Sequence, residues 1–463
     1  VSAILPARGA AFGAEAQVLV IGAGACGLTA ALRAADDGAE VVVLERDAAP
    51  SGSTAMSSGF IPAPGTRAQR AAGIADDDAA RFAADIQAKA KGLAEPALVR
   101  LATARIGPVI DWLEEDHGLE WVVLDDFLYP GHGRHRMHAV PERTGAALLG
   151  RLARAARDVT VMTAAHVTGL YADEGARVRG VRVARPGGGE ERIACRALIL
   201  ACNGYGGDRA LVAEHIPAMA AAPYHGHAGN RGDALRWGLA LGAEARCLSG
   251  AQGHGSLAHP HGALITWALM TEGGIQVNAH GRRFSDEHQG YSEQAIAVLA
   301  QPGGIAWSVF DARLLAMAEN FADFRAARDA GAVREAPDVA ALARLTGAPV
   351  TALSATLAHV AACAHGAAAD PFGRDFSTRP PLAPPYFAIR VTGALFHTQG
   401  GLMIGADGRV LRPGGAPLPN LFAGGGAACG VSGPELSGYL SGNGLLSALA
   451  FGALAGEGAA RLA

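Results

Sequence analysis

The sequence predicts an α/β fold, a largely parallel sheet flanked by helices, on three observations. An apolar run from Val18 to Ile21 passes into Gly22-Ala23-Gly24-Ala25-Cys26-Gly27. A second apolar run, Val41 to Leu44, ends on Glu45. A third, Ala197 to Ala201, runs into Asn203-Gly204. Short apolar runs closed by glycine turns and separated by helical periodicity read as strands joined through helices. Size permits such a core: 463 residues, half of them hydrophobic and 18% charged, suit two or three domains.

Each element follows from its local chemistry. Gly22 permits the tight turn out of the first strand, Gly24 lets the backbone approach a pyrophosphate, and Gly27 lets the next helix lie close to the sheet. That helix, opening at Leu28 to Arg33, aims its unpaired N–H groups at the phosphates. Glu45 lies 18 residues beyond Gly27, where a carboxylate can accept hydrogen bonds from an adenosine ribose. The pattern is that of a Rossmann-like dinucleotide site. Ser51 to Gly59, rich in small hydroxyl residues, suits a loop along phosphates and a ring edge. Helical periodicity covers Asp76 to Glu115, and Thr144-Gly145 opens a further helix carrying Leu148, Leu149 and Leu152. Val159 to Met162 and Val178 to Val183 read as strands around a turn at Asp173-Glu174-Gly175.

From Pro223 the chain turns to histidine- and glycine-rich loops, then helices through Ala364. Pro380-Pro381 and Pro384-Pro385 mark a boundary. Beyond it Leu421-Phe422-Ala423 runs into Gly424-Gly425, and Gly442-Asn443-Gly444 opens an apolar C-terminal helix. The simplest arrangement is a nucleotide domain built from 1–222 and 391–463, with 223–390 inserted as a lid.

Composition excludes several classes. A net charge of −4 without a Lys/Arg run argues against nucleic acid or an anionic membrane as partner. No apolar stretch approaches the roughly 20 residues of a membrane span. Val1 to Gln17 lacks a charged segment followed by an apolar core, so no secretory signal is read. Six scattered cysteines without CxxC oppose a disulfide framework, structural zinc, an iron–sulfur cluster and covalent haem, leaving inert thiols in a reducing cytoplasm as the expectation. His254, His259 and His261 have no acids at ligand spacing, so no metal is expected.

Several motifs in order carry a more specific resemblance: the GxGxxG with Glu45, the loop 51–59, Asp111-Trp112-Leu113, Arg143-Thr144-Gly145, Ala201-Cys202-Asn203-Gly204 and Gly232-Asp233. They continue through Val277-Asn278, Gly281-Arg282-Arg283-Phe284, Phe310-Asp311, His397-Thr398-Gln399-Gly400-Gly401, Pro419 to Gly425 and Gly442-Asn443-Gly444. The chain resembles the flavoprotein superfamily of fumarate reductase, succinate dehydrogenase and 3-ketosteroid dehydrogenases. The resemblance implies FAD, with a mobile α+β capping domain in the middle segment that closes over the flavin. It implies cofactor contacts from Gly22, Gly24, Ala25, Gly27, Glu45 and Arg46, and from Gly52, Ser53, Thr54, Ser58 and Gly59. Further contacts are implied from Val167, Ala201, Asn203, Gly204 and Asp233, then Gly425, Gly442, Asn443, Gly444, Leu445 and Leu446. Respiratory fumarate reductases hold FAD covalently on a histidine of the 51–59 loop; Ser53 takes that place, so non-covalent FAD is expected.

Substrate residues depart from the dicarboxylate pattern. An arginine proton donor is expected shortly after Arg283-Phe284-Ser285-Asp286-Glu287, but the chain reads His288-Gln289-Gly290-Tyr291. Where a second arginine is expected, Tyr439-Leu440-Ser441 stands. Fumarate and succinate are therefore not expected as substrates. Ketosteroid dehydrogenases polarise a ring carbonyl with tyrosine hydroxyls, so Tyr439 and Ser441 are candidate catalytic groups, unless Tyr439 merely packs beside the flavin. His397 either contacts substrate or bonds a backbone carbonyl at the hinge. His259-Pro260 echoes an active-site His-Pro pair. Tyr129, His132, Arg134 and His138 either meet an anionic or carbonyl group or form a solvated loop. The leading expectation is an FAD-dependent oxidoreductase acting on CH–CH beside a carbonyl of a cyclic ketone or steroid-like enone, with an unidentified electron donor or acceptor. Two alternatives stand beside it: a carboxylate substrate gripped by Arg134, Arg136 and His397, and an electron-transfer subunit with no turnover of its own.

Overall fold

The computed structural model describes residues 3–125 and 127–463. Val1, Ser2 and Asp126 lie outside the described residues, and with them the start of the stretch read for a secretory signal. The chain forms two compact units: Val1–Pro217, Gly226–Ala251 and His397–Ala463 make one, Ala218–His225 and Gln252–Phe396 the other.

The first unit is organised by a nine-stranded sheet. Its strands are β1 (Ala3–Pro6), β2 (Ala14–Ile21), β3 (Val41–Leu44), β4 (Thr160–Met162), β5 (His166–Ala172), β6 (Val178–Ala184), β7 (Glu190–Leu200), β8 (Arg409–Leu411) and β9 (Pro417–Ala423). The order is β1-β5-β6-β7-β2-β3-β4, with β9 also on β7 and β8 on β9. β7, β2, β3 and β4 run parallel, with Val18 opposite Val41 and Leu200 opposite Ile21; β9 joins β7 in parallel through Leu198 and Leu421. Parallel strands covered on both faces need continuous apolar runs, and Val18, Leu19 and Val20 are fully buried.

Helix α1 (Ala25–Asp36) follows β2, and helix α2 (Asn443–Ala460) closes the chain. They pack side by side in the same direction, because Gly452 abuts the Cys26 carbonyl and Gly456 that of Ala30. The segment Asp76 to Glu115 forms two helices, Ala79–Lys89 and Pro96–Glu115. Asp78 caps the first, accepting from the N–H of Arg81, and proline occupies the first turn of the second. Thr144 caps Gly145–Ala155 as its sequence predicts. Strand β5 was not legible: Gly169 interrupts its apolar pattern, and pairing with β1 and β6 supplies what propensity lacks.

The second unit holds a five-stranded sheet of Ala251–Ala258, Tyr386–Thr398, Ile305–Asp311 and Ile275–Val277, with Val333–Ala336 on Tyr386–Thr398. Its core stacks Phe310 on Phe387 and sets Phe324 edge-on. Among the described residues no helix is long and apolar enough to cross a membrane.

A Cβ added at Gly452 would stand 2.6 Å from the Cys26 carbonyl oxygen. Gly452→Val is expected to destabilise the fold by about 1–3 kcal/mol through overpacking. Urea unfolding of the variant against the parent protein measures this.

Candidate active site

The nucleotide end of the site is built where β2 meets α1. Gly22 holds φ +105°, a region that disfavours side chains, and an added Cβ would meet the Ala201 carbonyl at 2.6 Å. Glu45 accepts from the N–H of Ala23 at 2.9 Å and of Asp47 at 3.0 Å. An ionised carboxylate offers about four acceptor positions, so two remain for ribose hydroxyls. Thr54 Oγ1 accepts from the Ala25 N–H at 3.0 Å and is the nearest atom, at 3.4 Å, to a Cβ built on Gly24. The first turn of α1 is thus bare except for a hydroxyl, which suits a phosphate at a helix N-terminus.

Neighbouring segments close on this point. Arg46 donates to the Gly229 carbonyl at 2.8 Å and lies 3.0 Å from His227 Nδ1. Ser53 Oγ accepts from Asn203 Nδ2 at 2.8 Å and Asn230 Nδ2 at 3.0 Å. Gly52 is the N-terminal flank of the short helix Ser53–Met56, Ser58 is exposed, and Gly59 is pressed against Thr144. Gly204 sits against Thr398, Gly425 against Cys26, and Asp233 opens the helix Asp233–Ala240. Val167 is a buried residue of β5. Asn203, Ser53 and Thr54 are therefore brought together; the partners His227, Gly229 and Asn230 are ones the sequence reading missed.

The second focus is the N-terminus of α2. Gly442 takes φ +86° to turn the chain into the helix. Tyr439 and His397 converge over Gly444, their rings 5.4 Å apart and edge to face. A Cβ on Gly444 would stand 3.0 Å from His397 Nε2 and 3.7 Å from the Tyr439 hydroxyl. Burial raises the Tyr439 phenol above its ordinary range, while the backbone N–H groups of Gly444 and Gly442 pull the other way. It stays protonated. Burial pushes His397 down to about 4, so the ring is neutral.

A chain of side chains fixes that imidazole. His397 Nδ1 lies 3.0 Å from Gln399 Nε2 and 3.4 Å from the Thr398 carbonyl; the shorter contact, with the amide as donor, corresponds to the tautomer with its proton on Nε2. Ser432 Oγ donates to Gln399 Oε1 at 2.7 Å and accepts from Asn443 Nδ2 at 2.9 Å. Asn443 Oδ1, at the start of α2, is buried and has no hydrogen-bond partner among the described residues. An unmet buried acceptor costs on the order of 1–3 kcal/mol, and an N–H on the pyrimidine edge of an isoalloxazine would satisfy it. Leu446 is buried and Leu445 half-buried in the same turn. On these observations the residues fit FAD.

The polar run 129–138 is built differently from its sequence reading. Arg136 is buried and donates to Asp77 at 2.9 and 2.8 Å and to Asp85 at 2.5 Å. Arg134 forms an exposed pair with Asp76 at 2.6 Å. His132 Nε2 donates to the Ser441 carbonyl at 3.0 Å, and burial pushes it to about 4. His138 lies between Thr66 Oγ1 at 2.7 Å and the Arg136 carbonyl at 2.9 Å. Arg136 is committed to buried carboxylates, Arg134 pairs with Asp76 at the surface, and both histidines hold internal bonds, which weighs against the alternative of a carboxylate gripped by Arg134, Arg136 and His397. Tyr129 packs edge-on against Phe60 and Phe127. Ser441 is buried, its carbonyl held by His132.

In the second unit His259 is half-buried, its N–H bonded to the Arg390 carbonyl. His254, rather than His259, is the buried ring there. It is stacked between Tyr291 at 4.9 Å and Phe396 at 5.4 Å, with Trp267 edge-on.

The model of the FAD binding domain family matches residues 17–445. The chain belongs to that family. FAD is its cofactor, and it is an oxidoreductase acting on CH–CH or C=C bonds. The chain is 28% identical over 451 residues to a probable fumarate reductase, Ifc3, of Shewanella frigidimarina, covering 96% of this chain and 75% of that protein. It is 27% identical to the 4-oxocyclohexanecarboxylate 2-dehydrogenase of Sinomonas cyclohexanicum, covering 89% and 87%. The open conformation of a flavocytochrome c3 fumarate reductase superposes with a TM-score of 0.83 at 27% identity, covering 98% of this chain and 80% of that one.

The flavoprotein holds four histidines neutral, three of them buried and His397 half-buried. Burial puts His132, His138 and His397 at about 4 and His254 at about 3, against 6.5 for a free ring. The unfolded chain takes up these protons first, so stability is full above pH 6.5 and falls as the pH drops towards 4. Melting temperature is expected to stay level from about pH 8 to 7 and to fall steadily below 6.5; calorimetry across that range measures it.

Proposed function

We propose that the chain interconverts CH–CH and C=C beside the carbonyl of a ring ketone or steroid-like enone. The observation that carries this is the pair of uncharged donors, buried Tyr439 and half-buried His397, at the N-terminus of α2. Bound FAD supplies the hydride acceptor or donor. Tyr439 donates a hydrogen bond to the carbonyl oxygen, and the adjacent Gly442 and Gly444 amides stabilise charge that builds on the phenol. His397 presents Nε2–H to the same oxygen, held in that tautomer by Gln399. Polarising the carbonyl acidifies the neighbouring carbon. With Nδ1 bonded to Gln399 and a pKa near 4, His397 does not take the carbon-bound proton; the candidates are Tyr129, as its phenolate, and Ser441, as a relay that passes its own proton on as it accepts this one.

A relative's substrate supports this reading: the Sinomonas enzyme's name specifies a cyclohexane ring bearing a ketone and a carboxylate. The fumarate reductase relative favours an unsaturated carboxylate instead. Such a substrate wants guanidinium forks, whereas Arg134, Arg136 and Arg283 are already paired with Asp76, with Asp77 and Asp85, and with Glu287 and Asp370. Turnover also requires a second electron donor or acceptor, distinct from the small-molecule substrate.

Tyr439→Phe is expected to lower kcat on cyclic enones by about 10²–10³-fold, with FAD content and KM little changed. Steady-state kinetics of the flavin-loaded variant decide it, and turnover near the parent rate removes Tyr439 from the chemistry. FAD is proposed to be non-covalent, since Ser53 carries no ring nitrogen and its hydroxyl is held by Asn203 and Asn230. Acid precipitation is expected to leave all flavin fluorescence in the supernatant; a fluorescent pellet would contradict this.

A further inference from the structure

Outside the site already described, the second unit gathers three metal-ligating side chains, exposed His359 above buried Cys363 and the covered carboxylate of Asp370. His359 and Cys363 lie one turn apart on the helix Val350–Ala364, at i and i+4, so both face the same way. Asp370 comes from the loop that follows. Their ligating atoms all lie within 4.8 Å of one another. We propose that His359, Cys363 and Asp370 bind one divalent transition-metal ion of the zinc class, with water in the fourth position.

The spacing fits that ion. Zn–S of about 2.3 Å and Zn–N of about 2.0–2.1 Å at a tetrahedral angle place the sulfur and nitrogen about 3.6 Å apart. Cys363 Sγ and His359 Nε2 are 3.6 Å apart. A thiolate with an imidazole selects zinc-class ions over magnesium or calcium, which prefer oxygen alone.

The carboxylate has one position to give. Asp370 accepts from Arg283 Nη1 and from the N–H groups of Phe372 at 3.2 Å and Arg374 at 3.0 Å. That uses three of the about four acceptor positions of an ionised carboxylate. The same bonds orient the group as ligating carboxylates are usually oriented. Charge also permits it. Arg283 and Arg374 are balanced by Glu287 and Asp370, and a Cys363 thiolate offsets one of the two charges of the dication. On binding, a metal–sulfur bond forms, the Cys363 proton leaves to solvent, and no electron moves. His359 is exposed, so the ion has a path in. The bound metal would staple the end of the helix to the loop carrying Arg374.

Titrating Co2+ into the anaerobic flavin-loaded protein tests this. Expected are one Co2+ per chain and visible bands of tetrahedral thiolate coordination at wavelengths beyond the flavin absorption, both displaced by Zn2+. Cys363→Ser should abolish the bands, and His359→Ala should weaken affinity at least tenfold without changing FAD content. No band, or the same band in Cys363→Ser, would overturn the proposal. If Cys363→Ser does not fold, the exposed His359→Ala decides, and undiminished affinity rejects the site.

Discussion

The parallel packing of α1 against α2 is the constraint on which the rest of the first unit depends. Cys26 is level with Gly452 and Ala30 with Gly456, so both helices point their N-termini the same way. Two parallel macrodipoles in contact repel, and negative charge at the N-terminal end offsets the repulsion. Gly424, Gly452 and Gly456 keep the helix backbones close, and an added Cβ at Gly424 would stand 2.7 Å from Cys26 Sγ. Because Asn443 precedes Phe451 by eight residues, the start of α2 extends past that of α1 by about 12 Å at about 1.5 Å per residue. The two ends therefore serve different parts of one long anionic cofactor. On the proposed reading, the end of α1 would serve the pyrophosphate and the end of α2 the ring.

The positive charges of the chain are spent on architecture. Arg136 joins Asp77 and Asp85 beneath the 129–138 run, with Phe82 packed on its guanidinium. In the second unit Arg283 and Arg374 share Glu287, and Arg374 also donates to the Gly274 and Met270 carbonyls. Losing one member of such a set leaves a buried charge unmatched, which costs about 3–5 kcal/mol. These arginines cannot be lent to a substrate. Around Gly444 the chain offers polar groups without charge, and the Asn443–Ser432–Gln399–His397 chain aims one of them.

Whatever depends on local spacing was legible in the sequence. The turn at Gly22, the acid at Glu45 and the start of α2 follow from short motifs; Tyr439 and His397 were each singled out by resemblance, and the fold brings them together. What failed depends on distant partners. Arg46 is held by His227 and Gly229, 181 and 183 residues away, and no local pattern announces that return. His132 and His138 looked like ligands because nothing local shows the carbonyls and the hydroxyl that satisfy them. His254 was grouped with His259 and His261 by proximity in sequence, yet it lies within the strand Ala251–Ala258 and the other two in the turn beyond it. Only the fold places it between Tyr291 and Phe396.

Uncharged donors suit the proposed reaction better than cations would. A ketone and its saturated counterpart carry no net charge, and negative charge develops on the oxygen only as the neighbouring proton departs. A guanidinium would attract a carboxylate equally before and during reaction, which lowers KM without raising kcat. A phenol and a neutral imidazole bind a carbonyl weakly and an enolate strongly, so their interaction energy appears mainly in the transition state. The N-terminal end of α2 adds a fixed partial positive charge at the same point, and it needs no counter-ion that a substrate would have to displace. Gly444 makes the arrangement possible: any side chain there would separate His397 from Tyr439 and occupy the space the oxygen needs.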